Sequence, residues 1–170
     1  MAKTGVQTLG GEKINIGLND EQRAKIIEAL NKVLADEHVL YIKTRNYHWN
    51  VTGPRFHDLH LFLEKQYEQV ADIIDEVAEN ARQFGGFAFG TLREFIENSR
   101  LQEQPGTVPD ADTMVNNLLQ DHETLIQELR RDIDRAADEL HAQDAADFLT
   151  GILEQHNKMA WMLRAFTQSR

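Results

Sequence analysis

Residues 55–84 read RFHDLHLFLEKQYEQVADIIDEVAENARQF, and the glycines Gly85-Gly86 follow at once. Phe56, Leu63, Val70, Val77 and Phe84 recur every seven residues, with Tyr67, Ile74 and Ala81 between them. A seven-residue apolar period over some thirty residues predicts a long helix that buries a seam against other helices. Gly53-Pro54 breaks the chain before this helix, and the Gly-Gly pair supplies its C-terminal stop.

The polar residues of the same stretch are as ordered as the apolar ones. With His60 set at zero and about 100° turned per residue, Glu64 falls near roughly 40°, Asp75 near 60° and Glu79 near 100°. The apolar seam lies around 260–340° on the same rough scale. One stripe of imidazole and carboxylate therefore runs beside the core face, and spacing alone also fits an ordinary solvated face. Leu61, Ala71 and Ala78 lie in or beside the arc. Apolar and small residues there suggest that a second helix covers it.

On either side the chain repeats the helical pattern. A first helix is expected from Asn19-Asp20, with Ile26, Ile27, Leu30, Val33 and Leu34 on its inner face, running to His48-Trp49. Between Gly85 and Pro109 a long connection contains Thr91-Leu92-Arg93-Glu94, a capping-box pattern that opens a short helix through Phe95-Ile96. A connection of this length can cross the whole bundle and leave its flanking helices parallel. A third long helix starts near Pro109-Asp110 and ends around Leu140, and a fourth starts at Asp144. Strand signals are absent. The expectation is an all-α, ferritin-like four-helix bundle over residues 18–170, with a short helix in the crossover and a loose tail over residues 1–17.

Composition narrows the chemistry. The 170 residues include no cysteine, so any metal is held by imidazole and carboxylate, as suits iron, manganese or zinc. The formal charge of −10 favours cations over phosphate backbones. Neither a signal-peptide pattern nor a membrane-length apolar run occurs, and a cytoplasmic protein away from membranes is expected.

Axial distance decides how the stripe could act. Glu64 and Asp75 are 11 residues apart, about 16 Å of helical rise, whereas metal–ligand bonds are about 2 Å long. One chain cannot close a site from both halves. Two copies of the helix packed antiparallel about a two-fold near residues 69–70 would bring residues 60–64 of one against 75–79 of the other, giving two identical sites. His48, beyond the Gly-Pro turn, can join His60 and Glu64. The ordinary intra-bundle di-iron design needs Glu-x-x-His pairs, and none occurs: Glu37-His38, Glu139-Leu140-His141 and Glu154-Gln155-His156 all miss the spacing. His57 could be a peripheral ligand, but it reads more readily as a non-ligand, as do His38, His122, His141 and His156.

His48-Trp49-Asn50-Val51, Gly53, His60, Asp75, Glu79 and Gly85-Gly86 together resemble the Dps proteins, the miniferritins known as DNA-binding proteins from starved cells. The resemblance spans essentially the whole chain. It implies a hollow homododecamer that oxidises Fe(II), typically with hydrogen peroxide though dioxygen is open, and stores ferric oxide, protecting the cell from oxidative damage. It implies a ferroxidase site for two irons, built from His48, His60 and Glu64 of one subunit with Asp75 and Glu79 of its two-fold mate; zinc or other divalent metals suit the same ligands. Glu64 stands where many members have Asp, and Trp49 matches a tryptophan beside the site. Glu139 and Asp147, with Asp138 and Asp144 near them, fall close to the three-fold pores through which Fe(II) enters in that family. The sparse N-terminal tail and short C-terminus depart from members that bind DNA through Lys-rich tails. Weak or absent DNA binding is therefore expected, a nucleoid-binding protein with secondary iron chemistry being the alternative.

Overall fold

The computed structural model describes residues 14–167. Its elements in order are α1 (Asp20–Asn50), α2 (Phe56–Gln83), α3 (Leu92–Asn98), α4 (Ala111–Asp134), a π-helical turn (Arg135–Glu139) and α5 (Gln143–Thr167). No strand occurs among the described residues. The first thirteen residues of the expected tail lie outside the described part, and Ile14 already rests against Gly85.

The helix ends follow from local chemistry. Asn19 accepts from the Gln22 amide at 2.9 Å while the Gln22 side chain accepts from the Asn19 amide at 2.9 Å, a reciprocal cap. Thr91 and Glu94 repeat the device at α3, and Asp110 caps α4 through Thr113 N–H. α1 stops where Gly53 adopts φ +102°, a conformation that costs glycine little. The chain between α4 and α5 turns at His141, which takes φ 53°.

Side-chain pairs across the bundle fix its topology. Lys43 reaches Asp121 and Asn117 reaches Tyr47, so α1 and α4 run antiparallel. Phe62 packs at a tilt against Phe166, Gln66 meets the Met159 carbonyl and Gln69 meets Gln155, so α2 and α5 are antiparallel too. α1 and α2 form one hairpin and α4 and α5 another; α2 and α4 therefore run parallel, as the long crossover requires.

Two devices hold that crossover. The buried Asn31 side chain donates to the Phe87 carbonyl at 3.0 Å and accepts from the Phe89 amide at 2.9 Å. Farther along, the backbone N–H and Nε of Arg100 donate to the buried Asp36 carboxylate at 2.6 and 2.7 Å, and Nη1 reaches Asp132 at 3.0 Å. Burial pushes the Asp36 carboxyl above the usual carboxylate range, and Arg100 pulls it back.

One core fills the bundle. Leu63, Val70, Val77, Ala81 and Phe84 are buried on α2 as the seven-residue period predicts. Phe56, the first member of that period, is not: it is 45% exposed at the start of the helix, where its ring lies 5.1 Å from that of His60. The core layer begins one turn later, at Leu59.

Candidate metal centre

His48 and His60 face each other across the Gly-Pro turn. The Nδ1 of His48 lies 2.8 Å from the His60 carbonyl, and the Nδ1 of His60 lies 2.9 Å from the His48 carbonyl. A carbonyl oxygen only accepts, so both Nδ1 atoms carry the proton and both Nε2 atoms keep a free lone pair. The rings stack with centroids 3.8 Å apart and planes 19° from parallel. Fixing the tautomer through a backbone carbonyl is the usual way a metal-binding imidazole is oriented. The last turn of α1 and the first turns of α2 thus supply two preset nitrogen donors.

Glu64 follows His60 by one helical turn and is half-buried. Tyr67 packs its ring edge-on against His48 at 5.3 Å. The Arg45 guanidinium lies over the rings of Trp49, Tyr67 and Tyr41 at 4.9, 5.3 and 5.4 Å. Burial pushes the Tyr67 phenol up, and the charges of Glu64 and Glu68 act in the same direction. Trp49 itself is 62% exposed beside Arg45. The aromatic–guanidinium wall of Tyr41, Arg45 and Tyr67 was not singled out in the sequence, although an i, i+4 spacing from Tyr41 through Arg45 to Trp49 marks it.

Asp75 and Glu79 are exposed on α2. They stand 11 or more residues from Glu64, about 16 Å along the axis. Among the described residues no three His, Asp or Glu side chains of one chain converge as a metal site. The structure brings together His48 and His60, leaves Glu64 one helical turn beyond His60 on α2, and leaves Asp75 and Glu79 farther along that helix. Leu61 is 42% exposed, and Ala71 and Ala78 are half-buried along the same arc.

His57 is exposed at the start of α2. Asp138 and Glu139 lie exposed in the π-helical turn, and Asp144 and Asp147 lie exposed in the first turns of α5. Asp147 accepts from the Gln143 side chain at 2.8 Å, and Glu139 lies 3.8 Å from Arg135.

The fold is that of a ferritin-like helical protein, and the family model for the ferritin-like domain matches residues 27–169. The chain is 48% identical over 158 residues to an uncharacterised low temperature-induced protein of Nostoc, covering 93% of this chain and 88% of that one. It is 39% identical over 142 residues to DNA protection during starvation protein 2 of Bacillus anthracis, covering 84% and 96%. DpsC from Streptomyces coelicolor superposes with a TM-score of 0.89 at 29% identity, covering 94% of this chain and 92% of that chain. The chain belongs to the Dps family, the ferritin-like proteins of iron handling and DNA protection. No described helix is long and apolar enough to cross a membrane.

Proposed function

We propose that the chain is a ferroxidase and iron-storage subunit whose reacting centre forms between two copies. The observation that supports this reading is the interlocked His48–His60 pair. It offers two free Nε2 lone pairs, yet among the described residues no third side chain of the same chain converges with them, Glu64 lying one helical turn beyond His60. Two α2 helices packed antiparallel would place Asp75 and Glu79 of one chain opposite His60 and Glu64 of the other, and the apolar Leu61, Ala71 and Ala78 would be covered by that contact.

In this reading Fe(II) is the substrate. His48, His60 and Glu64 bind it from one side, Asp75 and Glu79 from the other, with room for two ions per site. Each of two Fe(II) gives one electron to hydrogen peroxide, the O–O bond breaks, and two hydroxides leave with no radical set free. Dioxygen is the other oxidant the site could use, and zinc and other divalent ions would compete for the same donors. Twelve chains would enclose the ferric product, and Asp138, Glu139, Asp144 and Asp147 would draw Fe(II) in through pores. The protein would act in the cytoplasm against oxidative damage.

Adding Fe(II) under nitrogen and then peroxide, while following ferric absorbance and particle mass, tests the reading. Wild-type protein should oxidise iron faster than buffer as a particle of twelve chains, and His60→Ala with Asp75→Ala should lose the rate but keep the mass. A particle of monomer mass, or wild-type rates in the double variant, would overturn it. A DNA-protecting role through direct DNA binding has a relative's name in its favour, but the charge of −10 opposes it.

A further inference from the structure

Away from the proposed iron site, three ionisable side chains from three helices meet inside the bundle: Glu37 of α1, His156 of α5 and His122 of α4, all fully buried. His156 Nε2 lies 2.8 Å from Glu37 Oε1, and His156 Nδ1 lies 2.9 Å from His122 Nδ1. Glu37 Oε2 and His122 Nε2, at the two ends of this chain of contacts, have no partner among the described residues. From α2 the buried Gln66 brings only a neutral amide, which donates to the Met159 carbonyl at 3.4 Å. Of the ionisable neighbours of Glu37 in sequence, Asp36 is held by Arg100, while His38 stacks on Phe95 and binds the Leu34 carbonyl. Glu37 is 11 residues before His48, about 16 Å along α1.

Counting protons decides what this chain is. The nitrogen–nitrogen contact needs one proton on its line and the nitrogen–oxygen contact needs another. With those two alone both imidazoles are neutral, and the Glu37 carboxylate is an uncompensated charge in the core, which burial strongly disfavours. A third proton, on His122 Nε2, brings the group to zero net charge; imidazole is a stronger base than carboxylate, which puts the proton of the nitrogen–oxygen contact on His156 and makes it an imidazolium beside the Glu37 carboxylate. A fourth fits without breaking a contact only on Glu37 Oε2, where it removes the anion and strands the imidazolium. A divalent metal in the same place would meet a single carboxylate and leave a net positive charge, and among the described residues no three ligands converge there.

The geometry points to a proton-holding ion pair, Glu37 with His156, extended by His122, that crosslinks three helices and ties the stability of the bundle to pH. Burial first, and then the charge on His156, push His122 well below the ordinary histidine range, in keeping with His156 as the charged ring. Counted from ionised Glu37 and two neutral histidines, the folded group holds one extra proton. The unfolded chain holds none above the ordinary histidine value of about 6.5 and two below it. Stability from this group therefore peaks near pH ~6.5 and falls on both sides, by up to about tenfold in the folding equilibrium per pH unit.

Two measurements on the assembled protein test this. Neutron diffraction at pH 7.5 should show deuterium on both nitrogens of His156 and on Nε2 of His122; a singly deuterated His156 would overturn the assignment. Urea unfolding at fixed chain concentration between pH 5 and 8 should compare wild type with His122→Gln, whose amide oxygen can still accept from His156. The ratio of their folding equilibria should fall about tenfold per pH unit below pH ~6.5 and stay level above it. A ratio constant at every pH would mean that only packing was lost, and would overturn the proposal. So would one zinc per chain bound by the His60→Ala, Asp75→Ala protein and lost on adding His122→Gln.

Discussion

His48 and His60 hold each other in place: each ring donates its Nδ1 proton to the other residue's backbone carbonyl, at 2.8 and 2.9 Å. Twelve residues and a Gly-Pro turn separate them in the chain, yet they behave as one unit. Removing either ring deletes one donor and releases the other. His48→Ala and His60→Ala should therefore each slow Fe(II) oxidation about 10- to 100-fold, and the double variant should be little worse than either single one. Initial rates of ferric absorbance across the four proteins measure the coupling; additive losses would mean that the rings act independently.

Asn31 satisfies two backbone groups of the crossover, the Phe87 carbonyl and the Phe89 amide, from a buried position. Asn31→Ala leaves both unpaired. A loss of about 1–2 kcal/mol is expected, from two part-buried backbone groups at about 0.5–1 kcal/mol each. Urea unfolding at fixed chain concentration reads it, and a loss under 0.5 kcal/mol would show that water replaces the side chain without cost.

Gly86 lies so close to α1 that an added Cβ would stand 2.4 Å from Ile27 Cγ2, whereas a Cβ at Gly90 would meet nothing within 4 Å. Gly86→Ala should cost about 1–3 kcal/mol as overpacking, and Gly90→Ala should change stability by less than about 0.5 kcal/mol. Thermal midpoints of the two variants at one protein concentration separate the cases.

DNA should not be retarded by the metal-free protein at physiological salt, since 28 acidic residues against 18 Lys and Arg give a net charge of −10 that repels the phosphate backbone. A gel-shift titration at 150 mM salt checks it. A retarded band whose affinity falls steeply with added salt would show an arm able to overcome the acidic body.

Much of this architecture is legible in the sequence because it rests on local signals. Asn19, Thr91 and Asp110 mark helix starts through caps that the structure shows closed. The period on α2 marks the buried face from Leu63 to Phe84; it misplaces Phe56, where the layer has not yet begun, and Tyr67 and Ile74 are only half-buried while their neighbours Gln66 and Ile73 are buried. The metal centre is legible as an inventory of donors, but the histidine interlock uses backbone carbonyls and leaves no trace in residue types. Glu37, His122 and His156 leave a fainter one. Each sits four residues after and three before a core position: Val33 and Leu40, Leu118 and Leu125, Ile152 and Met159. Polar residues in those slots mark a buried cluster, although nothing along the chain shows that they meet one another.

The crossover that leaves α2 and α4 parallel also bears on how the chain acquires its shape. Each hairpin, α1 with α2 and α4 with α5, joins neighbours through a short turn and closes mostly local contacts, which form fast. Contacts between the hairpins, such as Glu37 with His156 and Lys43 with Asp121, close loops of roughly eighty to one hundred and twenty residues. Docking of two preformed hairpins is then expected to be the slow step, which refolding rates of hairpin and crossover variants would measure. Substitutions at Asn31 or Arg100, which guide the connecting segment, should slow folding more than equally destabilising changes within a hairpin. The route through the crossover sets the pace of maturation, and the sequence of the hairpins sets what matures.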